Sequence, residues 1–117
     1  MASVVVYRIE DSDGLGPYFS KNQSSKLNKM LRLHRDATGR PGPKQEGLEH
    51  ERWHSFGFPD KDAMKKWFHG SRAELRRCGF KLCMYRVDET DVRISRSGKQ
   101  LVFEKARSYC SKIVNIP

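Results

Sequence analysis

The 117 residues, 37% hydrophobic and 32% charged, suffice for one domain with one modest core, and leave no room for separate cofactor and substrate domains. No stretch approaches the roughly 18 apolar residues of a membrane span, and the opening MASVVVYRIE lacks the basic segment, apolar segment and cleavage site of a secretion signal. Twenty-three basic against 14 acidic residues give a net charge of +9, which points to anionic partners, whether nucleic acid or an acidic protein face.

SVVVYRIE reads as a first strand, rich in β-branched and aromatic residues and ended by the acidic, glycine-punctuated DSDGLGP. Arg8 in that strand, with Gly14, Gly16 and Tyr18 after it, has the ingredients of an anion pocket: a guanidinium, glycines for close backbone approach, and a ring. The competing reading is an edge strand whose outward Arg8 pairs with Glu10 or a neighbour, followed by an ordinary loop.

A first helix follows in NQSSKLNKMLRLHRD. Leu27, Met30, Leu31 and His34 form its apolar stripe, Ser24 is placed to cap its start, and Lys26, Lys29, Arg32 and Arg35 run along another face. Seven Lys or Arg stand against Asp36 between Ser20 and Lys44, a local +6. ATGRPGPKQEGLE then cannot continue a helix and reads as a long loop. His50-Glu51-Arg52-Trp53-His54 matches the HExxH zinc-protease pattern letter for letter. Gly47, Trp53 and the following SFGFP predict instead a loop entering a strand, on which the two histidines do not converge, so no metal is expected.

After the short strand RWHSFGF, PDKDAMKKWFHGSRAELRRCG is the best-written helix. Pro59 suits its first position, Asp60 and Asp62 its positive end, Arg76 and Arg77 its negative end, and Gly79 its stop. Met64, Trp67, Phe68, Ser71 and Leu75 form the predicted core stripe, interrupted by Gly70, and Lys61, Lys65, Lys66, His69, Arg72 and Arg76 the outer face. Eight Lys or Arg against Asp62 and Glu74 make Lys61 to Arg86 a second +6 segment. FKLCMYRV is apolar at both parities, Phe80, Leu82 and Met84 against Cys83, Tyr85 and Val87, which predicts a central strand covered on both faces. DVRIS and KQLVFE form a hairpin with Ser97-Gly98 at its tip. Ile113, Val114 and Ile116 in the tail fit either an edge strand or a helix end. Cys78, Cys83 and Cys110 contain no CxxC pair and fit free thiols in a reducing compartment. The resulting class is α+β: one mainly antiparallel sheet of about five strands with two helices packed against it.

The segments VYRIE with DGLGPY, GRPGP, FGFPDKDAMKKWF, GFKLCMYRV and KQLVF together resemble small proteins of tailed phages and prophages over nearly the whole chain. More distantly, a first-strand arginine with a glycine loop and a later FGF strand leading into a helix resembles a reduced ADP-ribosyltransferase fold. That resemblance implies an NAD site with Arg8 on a phosphate, Tyr18 near the nicotinamide, Gly14 and Gly16 in the loop, and Gln100 or Glu104 toward the catalytic carboxylate position. The Ser-Thr-Ser strand of such enzymes is absent. The leading expectation is a small basic phage binding protein in the host cytoplasm, with neither cofactor nor metal. It would engage nucleic acid or an acidic face of a host nucleic-acid or defence complex, as an anti-defence inhibitor, through Lys26, Lys29, Arg32, Arg35, Lys65, Lys66, Arg72 and Arg76.

Overall fold

The computed structural model describes residues 2–34 and 54–117. Its elements are β1 (Ser3–Glu10), α1 (Ser25–His34), β2 (His54–Gly57), α2 (Lys61–Trp67), α3 (Arg72–Arg77), β3 (Lys81–Asp88), β4 (Val92–Ile94), β5 (Leu101–Glu104) and β6 (Tyr109–Val114). The proline-rich loop, Arg35, His50 and Trp53 lie outside the described residues.

Two antiparallel sheets of three strands, β1-β3-β6 and β2-β5-β4, replace the expected single sheet of about five. β3 supplies the physical reason. Leu82 packs with Ile9, Leu27, Leu31, Met64, Phe68 and Leu75 on the helical side. Cys83, Tyr85 and Val87 pack with Val6, Leu101 and Phe103 on the other. A strand apolar on both faces needs a layer on each, and helices on one side alone would leave Cys83, Tyr85 and Val87 in water. The second sheet is that other layer. The sheets meet where Tyr7 and Phe58 exchange backbone hydrogen bonds of 2.9 and 2.7 Å. Gly57 permits the crossing: a Cβ there would stand 2.5 Å from Val6 Cγ1 and 3.1 Å from the Tyr7 carbonyl oxygen.

The expected second helix is two helices. Gly70 adopts φ +86°, a left-handed conformation that a helix interior does not contain, and it separates α2 from α3. The stripe nevertheless continues across the break, with Met64, Phe68, Ser71 and Leu75 buried and Trp67 half-buried. α2 begins at Lys61 rather than at Pro59, and Asp60 caps it, its carboxylate accepting from the Ala63 N–H at 2.7 Å. Ser24 caps α1 as its sequence position predicts, accepting from the Leu27 N–H at 3.0 Å.

The hairpin of β4 and β5 forms around the predicted tip. β6 resolves the ambiguous tail as a strand on β3, with a register shift opposite Met84 and Tyr85. Ile116 then folds back into the helix-side core.

Candidate functional site

The acidic turn after β1 is organised by Asp11. Its carboxylate accepts from the N–H groups of Asp13 and Leu15, both at 2.9 Å, from Ser20 Oγ at 2.5 Å and from Asn22 Nδ2 at 3.1 Å. Burial opposes the charge, yet the Ser20, Leu15, Asp13 and Asn22 hydrogen bonds prevail and hold the Asp11 carboxyl below its ordinary value. An acid at this point therefore ties down a loop.

Arg8 and Glu10 share the β1 face that carries Val4 and Val6 toward the second sheet. Arg8 Nε donates to Glu10 Oε2 at 2.8 Å and Nη1 to the Phe56 carbonyl at 2.7 Å. Lys105, on a 3-10 turn after β5, donates to the same Glu10 oxygen at 2.5 Å and to the Gly14 carbonyl at 3.0 Å. Tyr85 Oη donates to Glu10 Oε1 at 2.6 Å, and the Lys105 ammonium stands 5.5 Å from the centre of the Tyr85 ring. Burial works against the Glu10 charge, but Lys105, Tyr85 and Arg8 outweigh it and leave the carboxyl below its ordinary value. The same burial, with Glu10 nearby, pushes the Tyr85 hydroxyl up and the Cys83 thiol up to about 12. Neither loses its proton near neutrality.

Arg8, Gly14 and Gly16 lie close together, Gly16 with a would-be Cβ 3.3 Å from Arg8 Nη2, but Arg8 pairs with Glu10, the partner that the competing reading named. Sequence reasoning missed Lys105 and Tyr85, which complete this corner. The available signal was parity: in β1 the charged pair Arg8 and Glu10 continues the inward face of Val4 and Val6, so an internal partner was required. Tyr18 is placed elsewhere, its hydroxyl accepting from Trp67 Nε1 at 2.7 Å and its ring 6.2 Å from that of Phe68. Gln100 is buried at the base of the β4–β5 hairpin, where its carbonyl accepts from the Ser95 N–H at 3.0 Å. Glu104, half-buried, lies 4.0 Å from Arg107.

The basic residues divide. Lys26, Lys29 and Arg32 are exposed along α1 and form no ion pair among the described residues; half-buried Lys65 and exposed Lys66 on α2 form none either. The ion pairs that do form use Arg8, Arg77, Lys105 and Arg107. Arg72 and Arg76 instead hold the tail, donating to the carbonyls of Pro117 and Ile116 at 2.9 Å each. Buried Glu74 on α3 accepts from Ser24 Oγ at 2.9 Å, joining the start of α1 to α3. Beside α1 lies a cleft of about 200 Å³, lined by Tyr18, Gln23, Asn28, Leu31 and Arg32. Within that lining, Asn28 Nδ2 donates to Gln23 Oε1 at 2.7 Å.

The model of the bacteriophage T4 Y00F protein family matches residues 1–117. The chain belongs to this phage protein family. No curated protein and no solved structure matches. Among the described residues no helix is long and apolar enough to cross a membrane, and no three His, Cys, Asp or Glu side chains are grouped as metal ligands. His54 stands at the start of β2, a strand, as the SFGFP pattern predicts for it.

Proposed function

We propose that this member of the phage family is a non-catalytic binding protein that holds nucleic acid through the basic face of α1. One observation carries the reading: Lys26, Lys29 and Arg32 project from a single ten-residue helix without a carboxylate partner among the described residues. Unneutralised cations on a rigid element attract phosphates and release counterions on contact. An acidic face of a host nucleic-acid or defence complex offers α1 the same charge, and blocking such a complex inside the host cell is the use this binding would serve. A nucleotide cofactor at Arg8 is less favoured, because Nε and Nη1 of its guanidinium already donate to Glu10 and Phe56.

The test is charge reversal. Lys26→Glu, Lys29→Glu and Arg32→Glu together are expected to weaken binding of labelled nucleic acid at least tenfold at moderate salt, with an unchanged circular dichroism spectrum. Undiminished binding removes α1 from the reading. If the wild-type protein binds no nucleic acid yet retains a host partner after nuclease treatment, the acidic protein face takes its place.

A further inference from the structure

We infer that the cleft between the Tyr18 turn and α1 takes single-stranded nucleic acid in preference to a duplex, an inference that rests on the nucleic-acid reading above. A duplex presents phosphates outside and hides the faces of its bases; a single strand presents both. The α1 cations alone would suit either. What favours the single strand is the company they keep.

Arg32 belongs both to the exposed basic row and to the lining of the cleft, so a phosphate held on that row lies beside it. The ring of Tyr18, 37% exposed and fixed at its hydroxyl by Trp67 Nε1, lines the same cleft. That hydrogen bond fixes the ring against α2, so it is held in place before a ligand arrives. Phe19, next along the same turn and outside the lining of the cleft, is 75% exposed, the highest value among the large apolar side chains described, and offers a second ring to a strand that leaves the cleft past Tyr18. The Asp11 carboxylate holds this turn by bonds at Asp13, Leu15 and Ser20, which makes it a rigid support for the two rings. Asn28, whose Nδ2 donates to Gln23, adds an amide oxygen able to accept from a base edge. Cations for phosphates, rings for base faces and amides for base edges are the three kinds of contact a splayed single strand uses. A volume of about 200 Å³ has the scale of a single base, not of a duplex.

The experiment measures anisotropy of a labelled short pyrimidine single strand and of its duplex with wild type, Phe19→Ala, and the variant reversed at Lys26, Lys29 and Arg32. The single strand is expected to bind roughly tenfold tighter than the duplex, and Phe19→Ala to lose most of that difference while its duplex binding stays as it was. Phe19 is exposed, so its truncation leaves the core intact; Tyr18→Phe, which keeps the ring but removes its tie to Trp67, is expected to lose part of the preference. Equal affinity for single strand and duplex, unaltered by Phe19→Ala and lost on charge reversal, overturns the cleft while the basic helix stands. Absence of binding to both overturns the nucleic-acid reading itself.

Discussion

Two regions of this molecule hold positive charge in opposite ways. In the corner where β1 meets the second sheet, Arg8 and Lys105 converge on the buried Glu10 carboxylate, with Tyr85 on its other oxygen. On α1, Lys26, Lys29 and Arg32 face solvent without a carboxylate among the described residues. Residues of the same chemical type are internal ties in one place and unspent charge in the other. A net charge of +9 does not separate the two; the positions of the carboxylates do. Removing the anion from the corner strands two cations, whereas removing a cation from the helix strands nothing.

The contrast breaks most visibly at Glu10. Glu10→Gln leaves Arg8, with a side chain only 12% exposed, without its counter-charge, and is expected to destabilise the fold by about 3 kcal/mol in denaturant unfolding. Lys105, at 31% exposure, can turn to water, which keeps the figure at the lower end of such losses. A cost near zero would mean that the corner is no tie. Next comes Tyr85→Phe, which deletes one hydrogen bond to a buried carboxylate and is expected to cost about 2 kcal/mol in the same measurement.

The pH dependence sharpens the comparison further. Because folding holds the Glu10 carboxyl below its ordinary value near 4.5, the unfolded chain takes up that proton more readily than the folded one. The stabilisation is therefore complete above about pH 5 and is lost as the pH falls through the ordinary value toward the depressed one. Asp11 acts in the same direction, from an ordinary value of 3.8. Unfolding curves at a series of pH values are expected to show a shallower acid slope for Glu10→Gln than for wild type. The smallest effect belongs to α1, where Lys26→Gln, Lys29→Gln and Arg32→Gln are each expected to change stability by less than about 0.5 kcal/mol.

Local patterns made much of this legible. The strand character of VVVYRIE, the Ser24 cap, the double-faced FKLCMYRV and the hairpin tip are set by neighbouring residues within one or two turns, and each appears where its pattern places it. What was not legible depends on distant pairing. FKLCMYRV states that both faces are covered but not by what, so all the strands were assigned to one sheet and the second sheet was missed. Gly70 could be read as a tolerated glycine inside one helix; only its positive φ shows it to be a break. In the candidate site, the α1 cations were visible by helical spacing. Arg72 and Arg76 looked equivalent to them, and only the return of the tail, which brings two carbonyls to their guanidinium groups, sets them apart. Lys105 lies 95 residues from Glu10, beyond the reach of any local pattern.

The central claim is that the α1 cations are unspent and available to phosphates. The salt dependence of nucleic-acid affinity tests it most directly, because each phosphate neutralised contributes roughly 0.7 to 0.9 to the slope of log affinity against log salt. Replacing Lys26, Lys29 and Arg32 by Gln together is expected to lower that slope by about 2 relative to wild type. A slope identical in the two proteins would contradict the account.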